Sequence, residues 1–455
     1  MLKIAVLVKY CGGDLNPFDA SALECAQRLE NAEITVVTMS PLSVKEKLLY
    51  ISRLGINRVI LISDLLYAGS DTLATSRVLS TALKILKPDL VLCGRQSVDG
   101  DTAQVPAEIS SMLGYNLITN AMEFNLKEIN TRLGRYKIKL PCVVSVEKFL
   151  QLRSASIFSK PVGIEIWDNS TLKIEKDKCG LKGSPTRVIK TFENGKVLRK
   201  CVYINSKELS SAIQEALNKP EINNVIESSP EKLEKVYIVG DGLDDTAKNI
   251  SKEVIRLPET DKFTLKMLIE GNCAEYVLFK ADLKNRALAP SVAALLNCGL
   301  CADCTHLETD GKKLFMFRPA GGGNIMAKIE CRSKITMATV REKNFYGKDI
   351  VFGIGLGAKD YIDKIKTFAH KFGAEIVASR KAVDENLMPY EAQVGLTGRI
   401  IAPKVYVAFG VSGEIHHIAG VEKTQTIIAV NKDKNAKIFN YADFGVTEDI
   451  RNVKL

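Results

Sequence analysis

At 455 residues the chain is long enough for two to four domains of roughly 100–200 residues, each able to bury its own core. With 46% hydrophobic and 25% charged residues it has the composition of an ordinary globular protein, and no apolar run approaches the roughly 18 residues that a membrane-spanning helix needs. The net charge of +10 is scattered, with no block of five or six like charges, which argues against a nucleic-acid-binding tail and fits phosphate-bearing cofactors or acidic protein partners.

The opening MLKIAVLVKYCGGD has an apolar run of about eight residues, lacks a small-residue cleavage pattern and passes into a loop. It reads as the first strand of a cytoplasmic chain. Strands and amphipathic helical stretches then alternate: KIAVLVK, PFDASALECAQRLE, EITVVTM, VKEKLLYISRLG, RVILIS, DTLATSRVLSTALKIL and DLVLCG. Near-continuously apolar strands of this kind belong to a parallel sheet covered by helices on both faces. After about residue 120, RYKIKL and CVVSVEKF alternate, predicting antiparallel strands added to that sheet. The polar stretch 206–234 reads as a short helix followed by a linker. A second alternation runs from KVYIVGDG to NIMAKIE, and a third opens at DIVFGIGLGAKD. The expectation is a multi-domain α/β protein of parallel sheets with flanking helices: domains at 1–205, 235–345 and 346–455 around the linker, two of them Rossmann-like or adenine-nucleotide α-hydrolase-like units.

Four stretches invite a chemical reading. The loop SVDGDTAQV leaves the carboxyl end of a parallel strand, where α/β sheets bind ligands, and offers backbone N–H groups of Thr102, Ala103, Gln104 and Val105 to a phosphate. The plain alternative is a helix capped by Asp99 or Asp101. CGLCADC places Cys298, Cys301 and Cys304 at part of a cluster spacing. The fourth ligand position is Glu308, so the eleven irregularly spaced cysteines read as reduced thiols, with no metal site. Gly353, Gly355 and Ala358 match a dinucleotide glycine pattern without its acidic partner about twenty residues on. GVSGEIHHIAG follows the strand KVYVAFG, with Ser412 in position to cap a helix. Gly410 and Gly413 allow close backbone approach, while the adjacent His416 and His417 point about 100° apart and cannot share one metal. An anion cradle with one histidine turned inward is the preferred reading.

The segment 375–449 closely resembles the FAD-binding domain of the α subunit of electron transfer flavoproteins. NPFDASALECAQRL, DGDTAQV, LPCVVSVEK and LKGSPTRVIK resemble the β subunit of the same family, so the whole chain resembles a β-to-α fusion. The resemblance implies an electron carrier using FAD in the C-terminal domain. Ser379 and Arg380 match the serine–arginine pair whose guanidinium lies against the flavin and favours its reduced anion. Gln393, Val394, Gly395, Thr397 and Gly398 match a loop in which Thr397 approaches flavin N5, and His417 matches the histidine donating to flavin O2. Gly410, Ser412 and Gly413 complete the cradle, while Asn431 and Asp443 match positions holding the adenosine end. Arg380, His417 and Thr397 are thus the residues expected to tune the flavin.

The β-like half implies a second nucleotide, either AMP or a second FAD. DGDTAQV followed by Pro106 resembles the FAD-holding, electron-bifurcating type more than the type with a polar N-Q-T segment. Implied partners are an acyl-CoA or other flavin dehydrogenase, and for the bifurcating type NADH with ferredoxin or flavodoxin. Leu396, Glu414 and His416 depart from the family pattern, and the glycine-rich loop at Gly353 lacks its usual arginine. These departures motivate the alternative of an adenine-nucleotide-binding module that has lost flavin chemistry.

Overall fold

A computed structural model of the chain describes residues 1–193, 199–219, 229, 231–320, 325–341, 349–395, 398–399, 401–422 and 424–453. The chain forms two compact units. The first takes Met1–Thr191, Ser228–Gly321 and Met326–Arg341, and the second takes Phe192–Glu227, Gly322–Ile325 and Glu342–Leu455.

The first unit contains a nine-stranded sheet ordered Ile164–Trp167, Arg58–Ile62, Ala32–Met39, Leu2–Leu7, Leu90–Gly94, Cys142–Val146, Asn116–Phe124, Glu128–Thr131, Gly134–Lys137. The first seven strands are parallel and the last two form an antiparallel hairpin. Expected to be antiparallel, Cys142–Val146 instead lies parallel in the sheet interior with all five residues buried. Five small or β-branched side chains can be covered on both faces, whereas the exposed, charged Gly134–Lys137 belongs at the edge.

A five-stranded parallel sheet in the same unit is ordered Ser251–Leu257, Leu233–Val239, Tyr276–Lys280, Thr336–Val340, Gly299–Cys304. This repeats the order of Ala32–Met39, Leu2–Leu7, Leu90–Gly94, Cys142–Val146 and Asn116–Phe124. The likeness extends to a bulge. The register shifts between Val144 and Val146 in one sheet and between Cys301 and Cys304 in the other, and each bulge holds a left-handed residue, Asn120 (φ 58°) or Asp303 (φ 64°). A hydroxyl accepts from the backbone N–H of each, Ser145 from Asn120 and Thr339 from Asp303. The unit therefore contains one fold twice, joined where the helices Val105–Leu113 and Asn285–Leu296 pack together. A four-stranded sheet of Thr186–Glu193, Ile325–Cys331, Leu314–Ala320 and His306–Thr309 also draws on both copies.

The second unit is built on a six-stranded parallel sheet ordered Val202–Tyr203, Phe444–Val446, Thr426–Val430, Val405–Phe409, Ile350–Ile354, Glu375–Ala378. The helix expected after residue 206 is present as Leu209–Asn218. Its Leu209, Ala212, Ile213 and Ala216 are buried in the same core as Phe352, Phe368 and Phe409, so it belongs to this unit rather than standing between domains. Most of the expected linker beyond it lies outside the described residues.

Candidate functional site

In the nine-stranded sheet the chain order reverses between Leu2–Leu7 and Leu90–Gly94, and the loops leaving their carboxyl ends diverge there to open a crevice. Asp19 fastens its base. Its carboxylate accepts from the backbone N–H of Lys9 (2.8 Å) and of Gly94 (2.9 Å), one on each strand end, and burial pushes it up to about 7. Gly94 is required at this point, because a Cβ would stand 2.3 Å from the Asp19 oxygen. Above lies a cavity of about 1120 Å³ lined by Lys9, Arg95, Thr102, Ala103, Gln104, Val105 and residues of the second copy.

The predicted phosphate segment forms one wall. Asp101 (φ 51°) and Ala103 (φ 55°) are both left-handed, and alternation of this kind turns successive N–H groups toward one point. Val105–Leu113 follows with Gln104 as its cap residue and no side chain satisfying its first N–H groups. Neither aspartate caps the helix: Asp99 pairs with Lys9 at 2.7 Å, and Asp101 accepts from Gln96. The Gln104 side chain is committed, donating to the Leu300 carbonyl and accepting from Thr72, so Gln104 can offer a ligand its backbone alone. Behind it Glu108, pushed up to about 8 by burial, accepts from Ser76 at 2.6 Å.

The opposite wall carries a residue that the sequence reasoning missed. Arg318, on Leu314–Ala320, lines the cavity at 6% exposure, and its Nε and Nη2 have no hydrogen-bond partner among the described residues. A buried guanidinium with two donors unmade is costly unless an anion completes it. The clue available in the sequence was an arginine followed by Pro-Ala-Gly-Gly-Gly, but its distance from the DGDTAQV loop hid the pairing. Cys301 also lines this wall; Cys298, Cys301 and Cys304 are buried free thiols at or beside the strand Gly299–Cys304.

In the second unit the order reverses between Ile350–Ile354 and Val405–Phe409, and Ser379, Arg380, Gln393, Gly410 and His417 lie beyond the carboxyl ends of its strands. Ser379 follows Glu375–Ala378 and caps Arg380–Asp384, whose Arg380 Nε lies 3.3 Å from Asp384. The Gln393 loop is tied down when Val394 donates to the Ala378 carbonyl. Gly395 (φ 139°) has no room for a side chain, since a Cβ would meet the His416 carbonyl at 2.6 Å, and Gly398 is likewise pressed on Gln393. Leu396 and Thr397 lie outside the described residues. Gly355 and Gly410 pack backbone to backbone, which accounts for the glycine pattern after Ile350–Ile354. Asn431 donates to the Val411 carbonyl at 2.9 Å and so closes the 410–413 loop from the next strand.

Three expectations need correction or division. The helix after Gly413 runs Ile415–Ile418 with Glu414 as its cap residue, not Ser412; Gly413 is consumed by contact with Ile438, to which the Ser412 carbonyl is bonded, and a helix so short supplies no anion site. The two histidines divide as expected, His416 exposed and His417 buried. Asp443 is not with the others. It precedes Phe444–Val446, at the amino ends of the strands, where it accepts from the Ile427 N–H and pairs with Arg199. The acidic residues beyond the carboxyl end of that strand are Glu448, which accepts from Ser206, and Asp449.

His417 Nε2 is 2.7 Å from the Tyr406 hydroxyl, and burial pushes its imidazole down to about 4, so it is neutral at physiological pH. Its Nδ1 is buried and makes no well-formed hydrogen bond among the described residues. The Val394 backbone lies against the ring, which ties His417 to the tightly folded glycine loop at the strand ends.

The sequence profile of the electron transfer flavoprotein domain matches twice, over residues 4–148 and 245–351, together more than half of the chain. The chain belongs to the electron transfer flavoprotein family. The profile of the electron transfer flavoprotein FAD-binding domain matches residues 347–422, which places an FAD-binding domain in the second unit. The two matches of the first profile coincide with the two copies of the repeated fold. Among curated relatives, the electron transfer flavoprotein subunit alpha of Thermoanaerobacterium thermosaccharolyticum is 34% identical over 225 residues, covering 39% of this chain and 68% of that protein. The acryloyl-CoA reductase electron transfer subunit beta of Anaerotignum propionicum is 33% identical, covering 39% and 68%. The lactate dehydrogenase (NAD(+),ferredoxin) subunit LctC of Acetobacterium woodii is 31% identical, covering 42% and 56%. No described helix of this electron transfer flavoprotein is long and apolar enough to cross a membrane.

Proposed function

We propose that the chain is an electron carrier combining a β-like first copy with α-like remaining parts, and that it holds FAD in its second unit and a second FAD, rather than AMP, in the cavity of its first. When bound, FAD takes up electrons in pairs and passes them on singly. The protein's part is to bind and to bias. Arg380 supplies fixed positive charge, and neutral His417 supplies a polar ring nitrogen without adding charge of its own. The backbone between Thr102 and Val105 supplies amides to a phosphate, with Arg318 facing them.

The observation that carries the second FAD is the cavity itself. At about 1120 Å³ it exceeds the roughly 300–1,000 Å³ typical of small-molecule sites and has more room than a mononucleotide fills. Names of relatives support the choice of partners. One is an electron transfer subunit of an acryloyl-CoA reductase, and one belongs to a lactate dehydrogenase named for NAD(+) and ferredoxin. A flavin dehydrogenase therefore stands as one partner, with NADH and a ferredoxin or flavodoxin as the others. Denaturing the purified chain and quantifying the released nucleotides tests the reading. Two FAD per chain is the expected result, one FAD with one AMP overturns the second site, and a colourless protein that cannot be reconstituted overturns the whole.

A further inference from the structure

Tyr406 lies within the strand Val405–Phe409, fully buried, with its hydroxyl 2.7 Å from His417 Nε2. The neighbouring strand makes room for it: a Cβ on Gly353 would stand 1.8 Å from the hydroxyl oxygen. His417 is the hydroxyl's one hydrogen-bond partner among the described residues. A phenol has a single proton to donate, and a buried donor left unmade bears the full penalty of its desolvation, so the phenol donates and Nε2 accepts. Burial also raises the phenol far above its ordinary range, which keeps that proton in place. A neutral imidazole carries one N–H, and with Nε2 occupied as an acceptor that proton sits on Nδ1. The Val394 backbone beside the ring favours a proton as well.

We propose that Tyr406 is a positioning residue that fixes His417 as its Nδ1–H tautomer, holding Nε2 as the acceptor and leaving the ring proton on the Val394 side. The effect on FAD retention rests on FAD being bound there; the tautomer does not.

Nitrogen-15 labelling of the full chain, with a spectrum correlating ring nitrogens to ring carbon protons, reads the tautomer directly, and His417→Gln identifies the signals. Wild-type protein should show Nδ1 protonated. Tyr406→Phe should move the proton wholly or partly to Nε2 and weaken FAD retention about threefold to tenfold, the effect of one hydrogen bond acting through a neighbour. Gly353→Ala, which displaces the phenol while retaining it, should shift the tautomer in the same direction. A wild-type Nε2–H signal overturns the proposal even if neither variant folds, and so does an unchanged tautomer in Tyr406→Phe. Should the expected tautomer appear in protein that binds no FAD, the functional reading fails and the role of Tyr406 stands.

Discussion

Arg318 shows how one residue can be costly to the empty protein and useful to the loaded one. Its guanidinium is buried close to Asp303, but that carboxylate already accepts from Arg286 and Arg341, which leaves Arg318 surplus positive charge with two donors unmade among the described residues, at the wall of the cavity. Replacing a buried, incompletely paired charge by an apolar side chain of similar length is often neutral or stabilising. Arg318→Met should therefore leave the urea midpoint of nucleotide-free protein unchanged or raised. It should weaken nucleotide binding in the first unit by about tenfold to a hundredfold, the range for a charged hydrogen bond. A lowered midpoint with unchanged affinity, measured by denaturation and titration calorimetry, would contradict this. At this scale the sequence was legible where neighbours along the chain make the site, as in Thr102–Val105 or the division of His416 from His417. It misled where strand ends decide. Asp443 directly precedes the three-residue strand Phe444–Val446, so it sits at the amino ends of the sheet and not with the other expected flavin residues.

The helix Leu209–Asn218 turns on its apolar stripe. Leu209, Ile213 and Ala216 recur at helical spacing and are fully buried, while Ser211, Gln214 and Glu215 are exposed. The Asn205 side chain and Glu208 form a capping box ahead of it, which fixes its start. Ser206 adds a hydroxyl bond to Glu448 at 2.8 Å, holding the entry to the helix against the end of the last strand. The periodicity was readable, but its destination was not, because a short amphipathic helix in a polar stretch gives no sign of which core it covers. If the segment were a tether, Ile213→Ala would be silent. As a core residue of the second unit it should cost about 2–5 kcal/mol. Thermal unfolding followed by flavin fluorescence should show earlier FAD release, with the first unit's own transition unmoved.

At the scale of the whole chain, the parallel sheets and helical layers followed from apolar runs of strand length, whereas the duplication within the first unit did not. Strand order is conserved between the two copies while the side chains are not. Even the ion pairs differ: Glu147, just after Cys142–Val146, pairs with Arg95 and Arg132, whereas the matching place after Thr336–Val340 holds Arg341, which pairs with Asp303. Duplication also divides the work: the first copy supplies backbone amides to the cavity, and the second supplies Arg318 and the Leu300 carbonyl that holds Gln104. The route of the chain crosses this arrangement, since residues before about 220 contribute Val105–Leu113 and most of Thr186–Glu193 to the first unit and Leu209–Asn218 to the core of the second. Residues after about 230 supply the partners of all three. Cutting the chain between those positions therefore separates no folded unit from another; it leaves two polypeptides, each incomplete twice over. A protease site placed at 222–226 and cleaved in the native state should yield fragments that co-elute at the mass of the intact chain and keep their nucleotide content, because each interface is a domain core rather than a surface contact. Fragments that part on size-exclusion chromatography without denaturant would refute the interleaving.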